Sequence, residues 1–147
     1  MRLGLLFCAL LAVGCSQRAW WTPPSDPYLR KTFKEFQADA AKRQPYKADA
    51  PRGGEAVARA EVGYTLDQIS LVNLTKEEWT EVEIWVNKAY VVYLPKMEPG
   101  KLKTVNFAMM FNDQGKTFPT DNKKTLVEKV EVYHGGKMWD VPVKLGE

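Results

Sequence analysis

The chain has 147 residues, 45% of them hydrophobic and 27% charged, with ten Gly and nine Pro. That balance belongs to a folded globular domain and excludes a disordered, collagen-like or low-complexity chain. A formal charge of +3, spread over interleaved acids and bases, argues against a nucleic-acid surface, and the one long apolar run is too short to span a bilayer.

That run comes first. Met1-Arg2 supplies one positive charge, and Leu3 to Val13 form an eleven-residue apolar stretch ending in Gly14-Cys15. A charged start, a short apolar core and small residues at its end make a secretory signal rather than a fold element. Ala12-Val13-Gly14-Cys15 resembles the lipobox of bacterial lipoprotein signal peptides, with Ala12 standing where Leu is commoner. The resemblance implies that residues 1–14 are a signal peptide cut just before Cys15, whose thiol carries a diacylglyceryl group with acyl chains such as palmitate. If the host is Gram-negative, Ser16 in place of Asp then implies the outer membrane, facing the periplasm.

The cysteines agree. The chain has two, Cys8 and Cys15, and Cys8 would leave with the signal. No intrachain disulfide is then expected in the exported chain. Each buried CH₂ contributes about 0.8 kcal/mol, and stable anchoring needs two membrane signals, which two acyl chains supply.

Residues 15–26 read as a lipidated tether. Pro23-Pro24 favours extended backbone. Arg18, Trp20 and Trp21 stand near the expected anchor, where Trp suits the membrane interface and Arg suits anionic headgroups; the rings could equally pack back on the domain.

Residues 27–54 are expected to hold an amphipathic helix and a linker. Asp26-Pro27 matches an N-cap followed by Pro at N1. Leu29, Phe33, Phe36 and Ala40 share one helical face, and Pro45 should stop the helix. Its charged residues are five basic against two acidic. Docking on the domain, a partner, or anionic lipid would each use the apolar stripe. Gln44 to Gly54 has no periodicity and reads as a linker or an ordered loop.

Residues 55–147 alternate as strands do. Val82, Ile84 and Val86 face one way, with Glu81, Glu83 and Trp85 on the other side. Val105, Phe107, Met109 and Phe111 share a face. Leu126, Val130 and Val132 face in, while Lys129, Glu131 and Tyr133 face out. Gly135-Gly136 matches a two-residue hairpin loop, followed by alternating Trp139, Val141, Val143 and Leu145. Ile69–Leu74, Ala89–Leu94 and Ala56–Tyr64 supply further strands. The expected fold is all-β, an antiparallel sandwich preceded by one helix, with a small barrel as the alternative. Asn73-Leu74-Thr75, then Trp79, then Met97-Glu98-Pro99-Gly100 is similar to immunoglobulin-like and fibronectin type III-like domains, and the similarity covers roughly residues 55–145. The B–F cysteine pair is missing.

Catalytic chemistry finds little support. His134 is the one histidine and is expected as a solvent-facing turn residue, a poor place for a base. Ser70 lies in a strand without nucleophile-elbow glycines. Glu81 and Glu83, with Glu77-Glu78 nearby, lie on a flat outer face that offers no water-excluding cleft. Asn112, Asp113, Asp121 and Asn122 match no calcium loop, and Asn112-Asp113-Gln114-Gly115 reads as a turn with Gly115 at positive φ. No metal, cofactor, catalytic residue or nucleic-acid partner is expected.

The outer-face aromatics are the binding lead. Trp85 and Tyr133 would offer an exposed surface for protein, peptide or sugar, unless Phe33 and Phe36 of the helix pack over Trp85. The expected function is a non-enzymatic, lipid-anchored sandwich binding an envelope protein through a sheet face or edge. A glycan- or peptidoglycan-binding module is the alternative, and a small envelope hydrolase a remoter one.

Overall fold

The structure is a computed structural model that describes residues 31–121 and 126–145. Its elements run α1 (Phe33–Arg43), β1 (Ala58–Gly63), β2 (Gln68–Asn73), β3 (Trp79–Val86), β4 (Tyr90–Met97), β5 (Leu102–Asn106), β6 (Val130–His134), β7 (Lys137–Val141) and β8 (Val143–Leu145). They form two four-stranded sheets, ordered β5-β2-β1-β8 and β4-β3-β6-β7. Neighbours pair antiparallel except β8, which runs parallel to β1. Both sheets are open-ended, so the architecture is a β-sandwich and not a closed barrel.

The core follows the alternation. Ala58, Ala60 and Val62 on β1, Ile69 and Leu71 on β2, and Val82, Ile84 and Val86 on β3 are all buried. On β3 the stripe changes parity at Glu81, whose φ is 52°. Trp79, opposite Met97, and Val82, opposite Leu94, are therefore both in the core. Gly135 and Gly136 turn β6 into β7 at φ 58° and 76°. Positive φ at both central residues is what a type I′ hairpin needs and what glycine supplies at least cost.

The residues that carried the immunoglobulin-like resemblance meet at one end of the sandwich. Buried Asn73 donates through Nδ2 to the Glu77 and Met97 carbonyls at 2.8 and 3.1 Å. Its Oδ1 accepts from the Thr75 N–H at 2.9 Å and the Thr75 hydroxyl at 2.7 Å. Trp79 Nε1 donates to Thr75 Oγ1 at 3.1 Å, and Gly100 N–H to the Asn73 carbonyl at 2.8 Å. Asn73 thus joins the ends of β2, β3 and β4 through its side chain and the turn before β5 through its carbonyl, with both side-chain polar atoms satisfied.

Four expectations are corrected. The helix begins at Phe33, not at Asp26-Pro27, because Thr32 and Glu35 form a capping box there. The Glu35 carboxylate takes the Thr32 N–H at 2.6 Å, satisfying groups that would otherwise be orphaned. The backbone and side-chain bonds from Thr32 hold the Glu35 carboxyl below its ordinary range. Next, β5 ends at Asn106, whose Oδ1 accepts the Ala108 N–H at 2.8 Å and caps a 3₁₀ turn, Phe107–Met109. Leu126 is exposed because β6 starts only at Val130. The chain before it is held by Asn87, whose side chain bonds Leu126 O, Glu128 N and Lys129 N. Finally, the alternation after the hairpin breaks at Pro142, where the chain leaves one sheet for the other, and Leu145 is exposed.

Candidate functional site

The outer face of the β4-β3-β6-β7 sheet was the expected binding surface, and the fold covers it. Trp85 is fully buried, which corrects its assignment as an exposed platform. The cover is the segment after α1. α1 ends at Arg43, before Pro45 as expected, with Phe36 and Ala40 buried. The ring laid edge-on against Trp85 is that of Tyr46, with centroids 5.2 Å apart. Phe33 instead sits edge-on against Phe111 at 5.1 Å and stays 54% exposed. Residues 51–53 then run beside β7, with Gly53 N–H donating to Met138 O and Met138 N–H to Pro51 O, both at 2.9 Å. Gly53 is required there: a Cβ on it would lie 1.8 Å from the Trp139 ring.

Two buried glutamates hold this strap down. Glu83 pairs with Lys47, accepts Trp85 Nε1 at 3.1 Å and has Arg43 Nε at 3.9 Å. Glu131, 1% exposed, pairs with Arg52, takes the Tyr46 hydroxyl at 2.6 Å and has Lys129 Nζ at 3.0 Å. Lys129 also reaches Asp140 at 2.9 Å. Lys47 lies 4.6 Å from the Tyr133 ring centroid and the Arg43 guanidinium 3.6 Å from that of Tyr93. These are cation–π distances, so Tyr133 already has a partner over its ring.

The charges tune one another. Burial, then the bond to Glu131, pushes the Tyr46 phenol up. Bonds to Tyr46 and Glu131 hold Arg52 above its ordinary range. Asp140, then Glu131, raise Lys129, and Lys129 lowers Asp140. These shifts favour the charged forms of Arg52, Lys129 and Asp140 and the neutral phenol of Tyr46. The pairing explains why Glu83 and Glu131 read as solvated outer positions in the sequence yet are buried.

A cleft of about 490 Å³ remains on this face, lined by Lys42, Arg43, Glu81, Tyr93, Tyr133 and His134 among others. His134 is not the solvent-facing turn residue expected. Its ring stacks on Trp79 at 4.8 Å and 18°, and its Nδ1 is buried without a hydrogen-bond partner among the described residues. Burial lowers the imidazole pKa, opposed by the Thr80 backbone and Glu77. Glu81 and Glu83 part company at the φ of 52°: Glu81 is exposed at the cleft while Glu83 is buried in the strap.

The other chemical candidates are placed plainly. The Ser70 hydroxyl is engaged with that of Thr104 at 2.9 Å. Asn112 Oδ1 accepts from Gln114 N and Lys116 N, and Gly115 has φ 71°, so this loop is the turn expected. Among the described residues no group of three His, Cys, Asp or Glu is placed to hold a metal. No described helix is long and apolar enough to cross a membrane. Cys15, Arg18, Trp20 and Trp21 lie outside the described residues.

The β5-β2-β1-β8 sheet is the contrast. Its outer face carries register rows Arg59–Val72–Leu102 and Glu61–Ser70–Thr104. A shallow apolar hollow of about 330 Å³ lies among Arg59, Val72, Leu102, Pro142 and Val143. Leu102 is 68% exposed. Among the described residues no backbone bridge closes the free side of β5 or β8, whereas β4 is bridged to Phe111 and β7 to Arg52. No family model, curated protein or solved structure matches the chain.

Proposed function

We propose that the chain is a membrane-anchored bacterial lipoprotein, held through acylated Cys15, whose sandwich binds an envelope protein and does no chemistry. One observation carries the choice of surface. Among the described residues, the β4-β3-β6-β7 sheet is covered by the strap except at the cleft and is bridged along both edges, while none bridges the outer sides of β5 and β8 in the other sheet. Natural sandwiches protect such edges from chance pairing. Closing one sheet with a strap and two buried carboxylates while leaving the other open fits a surface reserved for a partner. Catalysis has less support, since the imidazole is stacked on Trp79 and the strand serine is bonded to Thr104. A glycan reading now rests on Tyr133 alone, beneath Lys47.

Two measurements test the proposal. Cys15→Ser should shift the protein from the membrane to the soluble fraction with an unprocessed mass; membrane retention at the wild-type level would remove the anchor. A photo-crosslinking residue at Ser70 should give a discrete protein adduct in cells, and one at Glu83 should not. Adducts of equal yield from both positions would show that the open sheet has no special role.

A further inference from the structure

We propose that the groove between α1, the strap and the β6–β7 hairpin binds an extended basic segment of a polypeptide, with one cationic side chain at Glu81 and a second at Asp49. The site lies on the β4-β3-β6-β7 sheet and is independent of the open β5-β2-β1-β8 sheet. The cleft of about 490 Å³ beside Glu81 does not stand alone. A second hollow of about 550 Å³ lies between the end of α1 and residues 44–51 of the strap. The two share Lys42, Arg43, Tyr133 and Gly136, so they form one groove with its waist at those residues. Each half has the size of a small-ligand site, about 300–1,000 Å³. Two such halves in line suit a segment of chain better than one compact molecule.

The pairing of the charges selects the occupant. The ions lining the groove are Lys42, Arg43, Lys47, Asp49, Glu81 and Glu83. Glu83 is 6% exposed and pairs with Lys47, with Arg43 Nε at 3.9 Å. Arg43 also donates to the Asp39 carbonyl at 3.2 Å, and Lys42 has the Asp39 carboxylate at 4.0 Å. Glu81 and Asp49 are exposed, and among the described residues neither carboxylate has an ion pair or a hydrogen bond. The unpaired ions are thus both acids, one in each half of the groove. An anion would have to draw a cation away from Glu83 or Asp39, and stranding the buried Glu83 carboxylate is costly. A cation displaces nothing. Among the described residues no group of three His, Cys, Asp or Glu is placed to hold a metal, which leaves organic cations, ammonium or guanidinium. The waist separates a peptide from a free polyamine. The Tyr133 hydroxyl has no hydrogen-bond partner among the described residues. A peptide unit between two basic side chains would satisfy it, whereas the methylenes of a polyamine would cover it without a bond. Glu83 stays beneath the strap and makes no contact with the segment.

The probes are blocked, fluorescent peptides with two lysines separated by glycines, titrated into the full chain in detergent micelles beside their two-glutamate and one-lysine counterparts. The two-lysine peptide should bind, more weakly as salt rises, and the two-glutamate peptide should be weaker by about tenfold or more. Glu81→Gln and Asp49→Asn should each weaken the two-lysine peptide about three- to fivefold and bring it level with the one-lysine peptide. Both side chains are exposed, so these variants leave the fold intact. The double variant Glu81→Lys, Asp49→Lys should reverse the preference toward glutamate. Tyr133→Phe keeps the ring beside Lys47 and should weaken the peptide without changing the affinity for spermidine. Glu128→Gln, beyond the far end of β6, should change nothing. Equal binding of the lysine and glutamate peptides, no binding, or a loss in Glu128→Gln equal to that in Glu81→Gln would overturn the proposal. Spermidine binding as tightly as the two-lysine peptide, with Tyr133→Phe affecting neither, would overturn the peptide as occupant.

Discussion

Removing the Tyr46 hydroxyl separates the two jobs of that side chain. Tyr46→Phe keeps the ring edge-on against Trp85 and deletes the 2.6 Å donor to Glu131 and the acceptor of Arg52. A hydrogen bond to a charged group is worth about 1.5–3 kcal/mol. Glu131 keeps Arg52 and Lys129, so the carboxylate is not stranded and the cost should sit near the lower end, about 1.5–2 kcal/mol. Tyr46→Ala also loses an aromatic pair, worth about 0.5–1.5 kcal/mol beyond the area it buries, and should cost about 3–4 kcal/mol in all. Urea unfolding followed by Trp fluorescence reads both, since Trp85 lies under the strap. A cycle of Tyr46→Phe with Glu131→Gln should return a coupling of about 1 kcal/mol or more. A coupling indistinguishable from zero, with Tyr46→Ala costing no more than a surface substitution, would mean that the strap does not seal this sheet. The contrast between the two sheets would then collapse.

Three further outcomes follow from single sites. Gly53→Val forces a side chain into the Trp139 ring and should destabilise by about 2 kcal/mol or more; thermal unfolding unchanged within error would contradict the close approach. Asn73→Ala leaves the buried Met97 carbonyl and the Thr75 hydroxyl short of partners and should cost about 2–4 kcal/mol by urea denaturation, where a value under about 0.5 kcal/mol would refute the joint it makes. Burial holds the His134 pKa below its ordinary 6.5. The unfolded chain therefore binds that proton more readily, and the stability from neutral His134 is complete above about pH 6.5 and declines as the pH falls below it. His134→Phe, which can still stack on Trp79, should flatten this part of the pH–stability curve; an unchanged slope would assign it elsewhere.

The inward stripes were legible because a period of two needs only apolar residues in register: Val82, Ile84 and Val86 are buried as read. The Gly135-Gly136 turn and the helix stop before Pro45 were equally legible, since each follows from local backbone chemistry. The second face of a strand was not. Alternation says that Trp85, Glu83 and Glu131 oppose the core stripe, but it carries no information about what lies on top of them. The cover came from Gln44 to Gly54, a stretch with no period. Its signal was chemical: Tyr46, Lys47 and Arg52 supply one ring, one phenol and two cations, the complement of Trp85, Glu83 and Glu131. Helix and strand limits moved for a similar reason. Thr32 and Asn106 are capping residues whose bonds outbid the apolar pattern running past them.

That arrangement also constrains how an anchored molecule could present itself. α1 packs against β4, so the described chain begins beside the strap-covered sheet. Residues 15 to 31 span at most about 55 Å when fully extended, enough to carry the sandwich clear of the headgroups. The proposed anchor would confine the sandwich to a thin layer above the bilayer and raise its effective concentration toward other envelope proteins, as any tether does. A weak contact, inadequate between freely diffusing proteins, would become sufficient under that confinement, so a shallow binding surface and the proposed anchor at Cys15 would make physical sense together.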